Sequence, residues 1–128
     1  MKPGINVGQS ISIEVEVTEE MFACFEGKLV HPVFSTASLV HHMEWASRLL
    51  LLPYLEDGEE GMGTSVNVKH LAPSILGERV CISAEIKRVT VNSLITEVRA
   101  ETQKGIIGTG EVKQVILLKS KIYELLKS

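Results

Sequence analysis

Ile11, Ile13, Val15 and Val17 alternate with Ser12, Glu14, Glu16 and Thr18, the two-residue period of a strand with one face in water. From Glu19 to Phe34 no period holds. Gly27, His31 and Pro32 interrupt the segment, which reads as a loop with a short helical turn at Glu19 to Phe25. Ser35, Thr36 and Ser38 then offer capping hydroxyls to a run from Ala37 to Leu52 that holds neither Gly nor Pro until Pro53 stops it. This is the one long helix. On a helical wheel Leu39, Met43, Ala46 and Leu50 form a stripe with Val40, Ser47 and Leu51 beside it, while His41, Trp45, Arg48 and Leu52 lie opposite. A helix apolar around so much of its girth is expected to be enclosed.

Asp57-Gly58 and Gly61-Met62-Gly63 read as turns, and four strand-like segments follow: Thr64 to Ala72, Glu78 to Val89, Val91 to Glu101 and Ile106 to Leu118. Gln103-Lys104-Gly105 suits a hairpin turn between the last two. Ser120 to Lys127 places Ile122, Leu125 and Leu126 at helical spacing and reads as a short amphipathic helix or an extended end. The economical packing is α+β, a curved antiparallel sheet of about five strands wrapped around the helix, in one domain spanning residues 1–128. So small a sheet leaves an open edge and an uncovered face, for which a homodimer, or two dimers paired as a tetramer, is expected.

Thirteen basic against sixteen acidic residues give a formal charge of −3, no footprint for a phosphate backbone, so nucleic-acid binding is not expected. The longest apolar runs, Leu49 to Leu52 and Val115 to Leu118, are far short of a membrane span, and Met1 to Gly4 leads into nothing like a signal peptide. The expected setting is cytoplasmic, without membrane partners. Cys24 and Cys81 form no C-x-x-C pair and are expected to be reduced and packed as small hydrophobes.

Three polar residues could carry chemistry. Glu44 sits at the margin of the helix's apolar arc, either as a partly desolvated carboxylate or as the surface partner of Arg48 four residues on. His70 shares a strand face with Val66 and Val68, as a core histidine bonded to backbone or as an acid/base group aimed at the helix. Thr36 caps the helix, a duty Ser35 and Ser38 could equally take, or holds a water or oxyanion. If both are helical, Thr36 and Glu44 lie about 12 Å apart along the axis. They then act together only if Thr36 folds back in the preceding loop, or if a second subunit supplies one of them. His41 and His42 diverge too far to chelate one ion, and His41-x-x-Glu44 alone is too few ligands, so no metal is expected. No G-x-S-x-G elbow, P-loop or dinucleotide glycine pattern occurs.

Phe34-Ser35-Thr36, Met43-Glu44-Trp45-Ala46, Pro53-Tyr54-Leu55, Gly63-Thr64 and His70-x-Ala72-Pro73, with Met1 to Gly4 and Val7-Gly8 ahead of them, resemble the hotdog-fold thioesterases, and most closely the fluoroacetyl-CoA thioesterase family. That resemblance implies hydrolysis of a small or medium acyl-CoA thioester in a cleft between subunits. Coenzyme A would enter as part of the substrate, with no separate cofactor. It implies a catalytic set of Thr36, Glu44 and His70, with Glu44 attacking the carbonyl or activating water, His70 shuttling a proton and Thr36 positioning both. It also implies substrate contacts at Gly63, Thr64, Val30 and Phe34. The family's fluoroacetyl enzyme has an aromatic gate in the loop before Thr36, where this chain has Gly27 and Val30, and an arginine in its last strand, near which this chain reads Val112-Lys113-Gln114. Two other readings stand beside hydrolysis: a hotdog acyl-CoA hydratase or dehydratase, and a non-catalytic acyl-CoA binding module.

Overall fold

The computed structural model describes residues 1–127. Five strands form one antiparallel sheet in the order β1-β5-β6-β7-β4, comprising β1 (Ser10–Glu16), β4 (Glu59–His70), β5 (Arg79–Val89), β6 (Ser93–Thr102) and β7 (Gly105–Leu118). The long helix α1 (Thr36–Leu51) lies across its concave face, and a short helix α2 (Lys119–Lys127) follows β7. A sheet curved around one helix is thus the architecture that the periodicities call for.

Alternation fixes the register. Ile11, Ile13 and Val15 of β1 stand opposite Ala84, Ile82 and Val80 of β5, so the apolar positions of both strands share the helix-facing side. On that side Val80, Ile82, Ala84, Ile86, Leu94, Val98, Ala100 and Val112 meet Leu39, Met43, Ala46, Leu50 and Leu51 of α1 in the core. Ser35 caps the helix, its hydroxyl accepting from the Ser38 amide at 3.0 Å, and Pro53 ends it in a short 3-10 turn at Leu52–Tyr54. Thr36 is therefore the first helical residue rather than the cap.

One polar residue of α1 faces the core. The fully buried Ser47 hydroxyl bonds the Met43 carbonyl at 2.9 Å and the Thr96 hydroxyl of β6 at 2.7 Å. Thr96 donates weakly to the Val112 carbonyl at 3.4 Å, and Gln114 of β7 donates its side-chain amide to the Ser47 carbonyl at 3.0 Å. This chain of bonds ties the helix to two neighbouring strands at one rotation and one height.

Four expectations are corrected. The segment from Glu19 to Phe34 is not a loop: after a 3-10 turn at Glu19–Met21 it forms a hairpin of β2 (Phe22–Phe25) and β3 (Lys28–Phe34). Its two-residue turn places Glu26 and Gly27 at φ 52° and 76°, the conformation of a type I′ hairpin. Register shifts and mostly exposed strands erase the alternation that would have signalled it. Gly61-Met62-Gly63 is not a turn but the start of β4, where the absence of side chains admits α1: a Cβ on Gly61 would lie 2.6 Å from Leu51 Cδ2. The side of α1 carrying Trp45 and Leu52 is open in the single protomer rather than enclosed, with Trp45 50% exposed. Both cysteines are exposed instead of packed: Cys24 lies on the hairpin and Cys81 on β5 at a position facing away from the helix.

Two substitutions test this packing. Gly61→Ala forces a methyl group against the fully buried Leu51 and is expected to cost about 1–3 kcal/mol, read from the urea unfolding midpoint at constant m-value. Ser47→Ala removes the central hydroxyl of the buried chain and is expected to cost about 1–2 kcal/mol by the same measurement.

Candidate active site

Glu44 of α1 lines a cavity of about 540 Å³, whose walls include Trp45 and Leu49 of the helix, Leu52 at its C-terminal end, Gly61 and Gly63 of β4, and Val112 and Gln114 of β7. Its carboxylate lies against the strand: a Cβ on Gly63 would come within 2.9 Å of Glu44 Oε2. Only glycine lets the carboxylate rest there. Immediately beyond, the β4–β7 register slips, with Gly63 opposite Gln114 and Ser65 opposite Lys113, so Thr64 is the extra residue of a bulge.

Arg48 does not partner Glu44. Its guanidinium pairs with Glu60 at 2.9 Å, which removes the reading of Glu44 as half of a helical ion pair. Burial of the Glu44 carboxylate is not met in the single protomer either, where the residue is exposed.

His70 ends β4, and its Nδ1 lies 2.8 Å from the Thr36 hydroxyl at the first turn of α1. Thirty-four residues separate them in sequence, so the hydrogen bond joins the edge strand to the helix N-terminus. His70 thus bonds a side chain, not backbone alone. Its Nε2 is buried with no hydrogen-bond partner. Burial holds the imidazole below the ordinary histidine range, and the Ala72 backbone opposes part of that push. A neutral ring at pH 7, with one nitrogen fixed by a hydroxyl, is suited to accept or relay a proton.

The three residues do not form one cluster in a protomer. Thr36 and His70 are joined, but neither lines the cavity that holds Glu44. Both Thr36 and Glu44 belong to the same regular helix, so about 12 Å of axis separates them and the fold-back alternative is closed. Of the four residues expected around substrate, Gly63 lines the Glu44 cavity. Thr64 is exposed, with its hydroxyl 3.5 Å from the Lys113 carbonyl. Val30 is exposed on β3, near the turn that contains Gly27. Phe34 is fully buried in the core, with its ring centroid 6.0 Å from that of His42.

Sequence reasoning passed over the apolar wall of the cavity. Trp45 and Leu52 lie on the side of the wheel away from the core stripe, and an apolar residue outside that stripe was the signal. Val112 and Gln114 both reach the cavity. Gln114 is almost wholly buried, its amide nitrogen held by the Ser47 carbonyl. Among the described residues no group of three His, Cys, Asp or Glu side chains is placed to hold a metal ion.

Comparison with known proteins gives a consistent result. The profile of the family described as fluoroacetyl-CoA-specific thioesterase matches residues 17–120. The fluoroacetyl-CoA thioesterase of Streptantibioticus cattleyicolor is 35% identical over 85 residues, a match covering 66% of this chain and 61% of that relative's length. Among solved structures, a thioesterase superfamily member of Thermus thermophilus superposes with a TM-score of 0.92 at 40% identity, covering 98% of this chain and 93% of the other. The fluoroacetyl-CoA thioesterase FlK superposes with a TM-score of 0.89 at 28% identity, covering 97% and 96%.

The protonation of His70 is directly measurable. Its ring resonances are expected to titrate below the ordinary value of 6.5 in NMR spectra. Because the unfolded chain binds that proton first as the pH falls, the contribution of His70 to stability is complete above pH 6.5 and is lost as the pH drops toward the folded value. Gly63→Ala is expected to leave the unfolding midpoint nearly unchanged, since the flexible end of Glu44 can swing aside, while displacing the carboxylate from β4 in a crystal structure.

Proposed function

The chain belongs to the fluoroacetyl-CoA-specific thioesterase family, and from that membership and the geometry of Glu44, Thr36 and His70 we propose that it hydrolyses acyl-CoA thioesters at a site completed by a second copy of itself. The observation that carries the reading is the placement of Glu44: a carboxylate on the wall of a largely apolar cavity, seated against a glycine on an edge strand. In the proposed reaction the Glu44 carboxylate activates a water that attacks the thioester carbonyl, or attacks it directly to form an acyl anhydride that a water then hydrolyses to free acid and carboxylate; in both, the carbon–sulfur bond breaks and CoA leaves as thiolate. Backbone amides of the bulge beside Gly63 polarise the carbonyl oxygen. His70 carries a proton to the departing CoA thiolate, with the Thr36 hydroxyl fixing the ring. Coenzyme A is part of the substrate, and no other cofactor takes part.

The distances support a second copy. Thr36 and His70 cannot reach the Glu44 of their own helix, so the pair of one protomer serves the carboxylate of its partner. The sheet offers the means. β4 is a twelve-residue edge strand, with Met62 and Val66 exposed along it and the ladder groups of its outer side unpaired in the protomer. Pairing of two such edges across a two-fold axis covers the exposed strand and brings each Glu44 toward the other protomer.

Glu44→Gln and His70→Ala are each expected to lower the release of free thiol from acyl-CoA by about 10²- to 10⁴-fold while leaving the fold intact by circular dichroism. Thiol release also separates hydrolysis from hydration of the acyl chain, which leaves the thioester whole. Mixing the two variants and allowing subunits to exchange is expected to restore about one quarter of wild-type activity, because half of the dimers are mixed and each has one intact site. A mixture as inactive as its components would place all three groups in a single protomer and end the two-copy reading.

A further inference from the structure

The cavity that holds Glu44 is longer than hydrolysis of a two-carbon acyl group requires. Leu52 stands at its far end, eight residues beyond Glu44, about 12 Å further along the helical rise. Between them the wall is Trp45 and Leu49, with Val112 and the bare backbone of Gly61 across from them.

Two polar groups along this track have partners within the protein. Arg48 is held by Glu60 at 2.9 Å, and the amide nitrogen of Gln114 by the Ser47 carbonyl at 3.0 Å. Arg48 spends one of its five N–H donors on Glu60, whereas the wall between Glu44 and Leu52 is built of Trp45, Leu49 and Val112, which offer an alkyl chain mainly apolar surface. His41, the remaining ionisable group, stacks edge-on against Trp45 with centroids 6.1 Å apart.

We propose that this cavity is the acyl pocket and that it takes medium-chain fatty acyl groups of roughly six to ten carbons, with the carbonyl at Glu44 and the methyl end at Leu52. The assignment rests on the thioesterase reading for what happens at the carbonyl, but its binding half is separable. Trp45 is the sole tryptophan of the chain and lies in the cavity wall, so its fluorescence reports occupancy whether or not any bond is cleaved.

The test uses non-hydrolysable S-alkyl-CoA thioethers from ethyl to decyl, titrated into the full chain while Trp45 emission is followed. Each methylene withdrawn from water strengthens binding about fourfold when fully buried. From ethyl to octyl, Kd is therefore expected to fall at least about a hundredfold. Leu52→Asp, a change at a site 41% exposed in the protomer, is expected to abolish most of that fall. In parallel, kcat/KM for thiol release is expected to rise along the matching acyl-CoA series. A Kd that does not change with chain length overturns the proposal even if short acyl-CoAs are hydrolysed. A fall that persists undiminished in Leu52→Asp also overturns it, since the chain would then lie elsewhere. Chain-length-dependent binding, sensitive to Leu52, with no thiol released from any acyl-CoA supports the pocket and sinks the hydrolytic reading instead.

Discussion

The rotation of α1 about its own axis is the constraint on which the rest of the molecule depends. Leucine and methionine side chains favour burial of one stripe, but an apolar stripe packed on an apolar sheet tolerates small rotations and slips at little cost. The hydrogen bonds through Ser47, Thr96 and Gln114 do not. A buried hydroxyl that loses its partner is left unsatisfied in a medium without water, so the helix has one position in which these groups are all paired. Glu44 lies three residues before Ser47, and Leu49 and Leu52 follow it, so the same bonds set where the carboxylate and the apolar wall stand relative to β4 and β7.

The geometry along the helix then dictates the geometry of the assembly. Within α1 the first-turn hydroxyl and the mid-helix carboxylate are held apart by the rigid rise of the helix, and no rotamer closes that gap. The Thr36–His70 bond and the Glu44–Gly63 contact both involve β4, an edge strand paired with β7 on one side only. An edge strand that presents pieces of a reaction centre at both of its ends is best understood as half of a continuous surface. The proposed dimer therefore solves two problems with one contact, covering unpaired backbone and joining groups that a single chain keeps separate.

Much of the fold was legible because its strands are half-buried. β1, β5, β6 and β7 alternate in burial and in polarity alike. The β2–β3 hairpin was not legible because neither face is consistently covered, so its sequence carries no period; its turn, Glu26-Gly27, lacks the Asn-Gly or Asp-Gly pair that marks such turns. Gly61 and Gly63 were misread for a related reason. Glycine usually signals a bend, but here it signals the close approach of a helix that local sequence does not reveal. The spacings of Thr36, Glu44 and His70 pointed to chemistry only through resemblance to a family. Composition and period alone could not distinguish Glu44 from a surface ion pair, since the partner that Arg48 takes, Glu60, is twelve residues away rather than four.

The β2–β3 hairpin joins the main body through few backbone contacts: an isolated bridge between Val33 and Ile75, the Phe34 amide on the Ser74 carbonyl, and the Ser35 amide on the Met21 carbonyl. Phe34 anchors its base in the core, while Phe25, Leu29 and Val30 remain outside. A change of side-chain size at its tip therefore disturbs little interior packing, so the tip can be reshaped at far smaller cost to stability than the helix or the sheet.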